Sequence, residues 1–200
     1  MARLLHIFAH PGRATSRVNL SMWRAAQGID GIDSLDLYST YPRYAIDIEK
    51  EQQRLVDHDV LVLQFPLFWY SAPALVKEWI DLTFEHGFAY GQGGDRLRGK
   101  QMMLAVTAGG PQDAYSHQGY QHFELRTFLT PFEQTARLSQ MTFLAPYVQF
   151  GALKEDPAPH ARGFADLLRA LRDDRLDLSR AQQAQFLTHD TLPLTEGAPT

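Results

Sequence analysis

The sequence predicts an α/β fold: one doubly wound, five-stranded parallel sheet in the order 2-1-3-4-5, with helices on both faces. Three observations predict it. Short apolar runs alternate along the chain with segments of helical spacing, the pattern of βαβ units with right-handed crossovers. One run, Asp59-Val60-Leu61-Val62-Leu63-Gln64-Phe65, is almost unbroken apolar, as a strand covered on both faces must be. The chain of 200 residues, 44% hydrophobic and 21% charged, suits a single compact domain.

Taken in order, the first strand is expected over 4–9, followed by a turn at Pro11-Gly12 and a helix over 19–27. A second strand reads 34–38. A helix over 47–57 carries Ile48, Gln52 and Leu55 on one face. The third strand is 59–65. The helix over 72–86 opens with Pro73 in its first turn, where a missing N–H costs nothing. Its stripe of Leu75, Val76, Trp79, Ile80 and Phe84 opposes Lys77, Glu78, Asp81 and Glu85. Strands four and five are expected over 102–107 and 142–150, and the last helices over 123–138 and 157–171. Asp173-Asp174-Arg175 reads as a solvated end. The domain is expected to span 1–187, with a tail over 188–200 that is loose or packed on a partner subunit.

Composition narrows the function. A formal net charge of −4 gives no electrostatic reason to bind nucleic acid. Without cysteine there is no disulfide scaffold, thiolate metal site or cysteine nucleophile. Met1-Ala2-Arg3-Leu4-Leu5-His6 turns polar too quickly for a signal peptide, and no run reaches the roughly 18 apolar residues of a membrane helix. A cytoplasmic location is expected. His6 and His10 fall at a strand and its exit rather than on a helix face, and no metal site is expected.

In a doubly wound sheet ligands bind beyond the carboxyl ends of the strands. Three loops there have unusual compositions. His10-Pro11-Gly12-Arg13-Ala14-Thr15-Ser16-Arg17-Val18-Asn19 leads from a buried strand into a helix, whose first N–H groups and dipole make an anion site. Thr15, Ser16 and Arg17 add donors suited to a phosphate; taken alone, the loop reads more simply with Ser16 as an N-cap and His10 as a turn residue. No P-loop or Gly-x-Gly-x-x-Gly pattern accompanies them. The second loop, Pro66-Leu67-Phe68-Trp69-Tyr70-Ser71-Ala72-Pro73, holds more aromatic surface than a loop can bury. It suits either a flat conjugated ligand or a dimer interface. The third, Thr107-Ala108-Gly109-Gly110-Pro111, lets backbone approach a ligand and leads to Tyr115.

The ordered motifs Ala9-His10-Pro11, Ser16-x-x-Asn19, the run from Pro66 to Asp81, Gly87-Phe88-Ala89-Tyr90-Gly91, Leu97-Arg98-Gly99-Lys100, Thr107-x-Gly109-Gly110 and Pro131-Phe132-Glu133-Gln134-Thr135-Ala136 resemble the flavodoxin-like NAD(P)H:quinone oxidoreductases. The bacterial branch that includes ancillary proteins of glutathione-gated potassium efflux is the most similar. The resemblance runs from Leu4 to about Leu171. It implies a non-covalent flavin, FMN rather than FAD because the longer enzymes' extra C-terminal segment is missing, and a homodimer with the flavin near its interface. By the same resemblance His10, Ser16, Arg17, Val18 and Asn19 would hold the phosphate and ribityl chain. Pro66, Leu67, Phe68 and Trp69 would line the ring, and Thr107, Ala108, Gly109 and Gly110 would face its pyrimidine edge. Tyr115 matches a tyrosine that donates a hydrogen bond to the reduced flavin. Ala108 stands where family members commonly have threonine, and Gln121, beside His122, stands where the longer enzymes have a histidine.

The activity so implied is two-electron, ping-pong hydride transfer from NAD(P)H through flavin N5 to a quinone or related electrophile. Developing negative charge would meet the Gly109 and Gly110 N–H groups and the Tyr115 hydroxyl, which is protonated at neutral pH. The alternative is a regulatory subunit that binds a membrane potassium-efflux antiporter. A one-electron carrier fits less well, since such carriers are typically strongly acidic.

Overall fold

The computed structural model describes residues 1–12, 14 and 16–195. Five central elements follow the expected alternation: β1 (Leu4–Phe8), α1 (Val18–Ala26), β2 (Ile32–Asp36), β3 (Val60–Pro66) and β4 (Gln101–Thr107). The strands are parallel, in the order β2-β1-β3-β4, with β5 (Thr142–Phe143) and β6 (Tyr147–Gln149) both paired to β4 at the edge. Strand order is therefore as expected, with one strand more.

That extra strand is a break in the expected fifth one. Leu144 N–H still reaches Met102 O at 2.9 Å, but Ala145 N–H turns out of the sheet to donate to Ala181 O at 2.8 Å. Pro146 has no N–H to give. The ladder therefore opens for three residues and resumes at Tyr147 opposite Ala105.

Other boundaries moved for local reasons. The second strand ends at Asp36, not at residue 38, because the Asp36 carboxylate accepts from Ser39 N–H at 3.2 Å and starts a helical turn, α2 (Leu37–Thr40). α3 (Ile48–Asp57) is capped in the same way by Asp47, and α4 (Ala74–Thr83) follows Pro73. The helix expected over 123–138 is two, α5 (Leu125–Phe128) and α6 (Thr130–Leu138), since Pro131 cannot continue a helix that precedes it by a turn.

Helices cover both faces, which is why the strands read as continuous apolar runs. On one face α1 and α7 (Pro157–Arg172) bury Met22, Phe164 and Leu168 against Leu4, Val62 and Met103. On the other, Trp79 of α4 and Phe132 of α6 pack with Leu5, Leu63 and Phe65. A fully buried carboxylate, Glu51 of α3, sits there without charge frustration: it accepts from Tyr41 Oη (2.7 Å), Trp79 Nε1 (3.1 Å) and Arg54 Nε (3.1 Å).

The C-terminal segment differs most from expectation. Asp173 is held by Arg172 rather than free in solvent, and a further helix, α8 (Leu178–Gln183), is capped by Asp177. Beyond it Leu187 bridges to Tyr147, and Asp177 N–H donates to Pro193 O at 2.8 Å. Residues 188–195, expected to be loose or on a partner, are thus hydrogen-bonded to their own domain; 196–200 lie outside the described residues. No helix among the described residues is long and apolar enough to cross a membrane.

Candidate functional site

β1, β3 and β4 end side by side, so the three loops that leave them meet at one edge of the sheet. Ala9 N–H donates to Gln64 O at 2.8 Å, holding the first loop in the sheet for one more residue. His10 then turns inward: its Nδ1 accepts from Gly12 N–H at 3.1 Å, its ring lies 5.7 Å from Phe68, and burial pushes its pKa down. A neutral imidazole protonated on Nε2 results. Thr15, expected as a phosphate donor, and Arg13 lie outside the described residues.

α1 begins at Val18 with Arg17, not Ser16, as N-cap, and Arg17 provides no side-chain cap. The capping role open to Ser16 is therefore not used. Among the described residues the first-turn N–H groups meet no side-chain acceptor, and with the positive end of the helix dipole they suit an anion.

The second loop is a two-residue hairpin. Phe68 and Ser71 exchange backbone hydrogen bonds of 2.9 and 3.0 Å, which forces Trp69 (φ 47°) and Tyr70 (φ 65°) into the left-handed region. Such turns normally use Asn-Gly, and each bulky residue there costs on the order of 1–3 kcal/mol. The strain is spent presenting aromatic surface: Trp69 is 92% exposed.

The third loop is clamped to the one after β6. Ala108 N–H donates to Gln149 O (2.8 Å), Ala152 N–H to Ala108 O (3.0 Å), and Gly151 N–H to Gly110 O (2.8 Å). Gly109 N–H makes no hydrogen bond among the described residues.

The cleft so formed holds about 400 Å³. It is lined by His10, Ser16, Arg17, Val18, Asn19, Pro66, Leu67, Phe68, Thr107 and Gly109, all expected from sequence, together with Ala152 and Leu153. These last two were missed because they follow the broken edge strand, where no local pattern marks them. Four expected residues do not line the cleft. Ala108 is fully buried in the core. Trp69 stands at the exposed hairpin tip. Gly110 is covered, since a Cβ there would lie 2.6 Å from the Tyr120 hydroxyl. Tyr115 lines a neighbouring cavity of about 550 Å³ with Phe150, Arg126 and Phe186. Burial raises the Tyr115 pKa, Gly110 N–H offsetting part of that, so the phenol stays protonated. His122 sits in a turn at φ 59°.

Fold and cleft together define a doubly wound α/β protein with a ligand site at the strand carboxyl ends. Residues 2–174 match the family described as having a flavodoxin-like fold, and the chain belongs to that family. It is 38% identical over 170 residues to the glutathione-regulated potassium-efflux system ancillary protein KefG of Enterobacter sp., covering 84% of this chain and 93% of that one. Among solved structures it is similar to general stress protein 14 of Treponema denticola in complex with FMN (32% identity, TM-score 0.78, 86% and 98% of the two chains). It is also similar to an NADPH-quinone reductase of P. pentosaceus (27% identity, TM-score 0.73, 85% and 97%).

Proposed function

We propose that the chain is an FMN-dependent NAD(P)H:quinone oxidoreductase. The observation that carries this is the cleft, lined both by the start of α1, which no side chain caps among the described residues, and by Gly109, whose N–H makes no hydrogen bond among them. The residues fit the group. A Cβ at Gly109 would meet only Leu153, at 3.6 Å, and the backbone there is not left-handed, so the fold itself does not require glycine. A ligand lying against that backbone does. Gln149, whose backbone pairs with Thr107, buries a side-chain amide with neither atom partnered among the described residues.

Bound FMN would supply two-electron transfer from NAD(P)H to a quinone-like acceptor. The α1 N-terminus, with Ser16 and Arg17, would hold its phosphate, and Pro66, Leu67 and Phe68 would line its ring. Gly109 N–H would point a donor at charge developing on the pyrimidine edge. Tyr115 keeps its proton on Oη beside the Gly110 backbone but opens on the neighbouring cavity, and would donate to the same charge only from there. The exposed Trp69, Tyr70 and Phe123 form a surface suited to a second copy of the chain, which would complete the aromatic wall.

The test is the absorption spectrum of the FMN-loaded protein. Bleaching by NADPH and recovery with a simple quinone are expected, and Tyr115→Phe should slow the cycle by about tenfold, the worth of one hydrogen bond in the transition state. A spectrum unmoved by NADPH would overturn the reading. The likeness to KefG supports a second one, an ancillary subunit of a potassium-efflux antiporter. Antiporter activation by a variant that binds FMN but does not turn over would favour it.

A further inference from the structure

The geometry points to a one-way buried hydrogen-bond chain, oriented by the Asn19 main-chain oxygen, that holds His6 as its Nε2–H tautomer and leaves the Thr107 hydroxyl proton as a donor into the cleft. The inference rests on the FMN reading of that cleft.

The chain crosses the sheet from β2 to β4. Ser34 Oγ lies 3.2 Å from His6 Nδ1, and His6 Nε2 lies 2.9 Å from Gln64 Oε1. Gln64 Nε2 donates to Asn19 O at 2.7 Å and to Asn19 Oδ1 at 3.2 Å, and Asn19 Nδ2 donates to Thr107 Oγ1 at 2.6 Å.

Its direction follows from one fixed point. The main-chain oxygen of Asn19 can only accept, so the Gln64 group facing it must be the NH2. Gln64 therefore presents Oε1 to His6, which must donate from Nε2. His6 Nδ1 is left as an acceptor, and Ser34 supplies the proton. On the other side, Asn19 has accepted at Oδ1 and must donate from Nδ2, so Thr107 Oγ1 accepts. The Thr107 proton finds no acceptor among the described residues, and the neighbouring Gln149 amide is itself unpartnered. Thr107 lines the cleft. The proton faces whatever binds there.

Full burial, which pushes the His6 pKa down to about 4, keeps the ring neutral and so able to hold one tautomer at neutral pH. The ring packs against Trp23 and Phe164, with ring centroids 5.4 Å away in each case.

Two measurements test this. The imidazole 15N resonances of His6 in the unmodified protein without ligand, identified by their loss in His6→Gln, should report a protonated Nε2 and a bare Nδ1 at pH 7. An Nδ1–H tautomer or an imidazolium there overturns the inference. Thr107→Val removes the donor at the end of the chain, so FMN affinity should fall about tenfold, while Thr107→Ser keeps it. Equal FMN affinity of Thr107→Val and the parent overturns the inference. A parent that binds no FMN sinks the flavin reading and the cofactor end of the chain with it, while the tautomer still judges the direction inside the sheet.

Discussion

His6 is buried without exposed surface, and its protonated form has no place in the folded protein. Above pH 6.5 the ring is neutral both folded and unfolded, so it affects stability equally in both. As pH falls below 6.5 the unfolded chain takes up a proton that the folded one refuses until about pH 4. Stability is therefore lost over that window, by about 2 kcal/mol between pH 7.5 and pH 5. Urea midpoints at the two pH values should show a drop that is smaller by this amount in His6→Gln; equal drops would contradict it. The two neighbouring glycines make a second contrast. Gly109→Ala should leave stability within about 0.5 kcal/mol of the parent but weaken FMN, because the new methyl meets only Leu153 at 3.6 Å. Gly110→Ala should lower the melting temperature, since its methyl would sit 2.6 Å from the Tyr120 hydroxyl and 3.2 Å from Tyr115. Thermal melts with and without FMN separate the two.

The C-terminal strap (residues 184–195) packs on α7 through His189, whose ring lies 4.2 Å from that of His160 and whose backbone crosses Gly163. Gly163 has the His189 Cα 2.7 Å from where a Cβ would stand. Alanine is worth about 1 kcal/mol more than glycine inside a helix, yet Gly163→Ala should detach the strap. Hydrogen exchange should then quicken at Leu187, whose N–H bonds Pro146 O at 2.8 Å, while the β1 and β3 amides stay protected. Unchanged exchange at Leu187 would refute this. The strap was also where the sequence was least readable. α8 is only six residues long, and the contacts of this segment, Ala181 O of α8 with Ala145 and His189 beyond it with Gly163, join parts of the chain distant in sequence. The break in the edge strand has the same origin, although Pro146 was a visible hint. Pro131, which splits α5 from α6, was an available signal passed over in favour of helical spacing. β1, β3 and β4 were legible because burial on both faces leaves apolar residues little alternative. The cleft was legible for the same reason, its loops being tied to those strand ends. The left-handed Trp69-Tyr70 turn was not, because neither residue type announces positive φ.

The molecule as a whole exposes an aromatic surface beside its cleft, with Trp69, Tyr70, Tyr120 and Phe123 all outside the core. An exposed tryptophan at a strained hairpin tip suits contact with a ligand or with a second copy of the chain. Sedimentation should show a dimer for the parent and a shift toward monomer for Trp69→Ser at the same concentration; a monomeric parent would assign that surface to the ligand alone. Beneath all of this lies the reading of the crevice where β1, β3 and β4 end. Titrating the apoprotein into FMN and following flavin fluorescence probes it without any assumption about turnover. Quenching that saturates at one FMN per chain, with Kd about 1 μM or tighter, is the expected result; fluorescence that stays unquenched at about 50 μM protein, far above that Kd, would contradict the account.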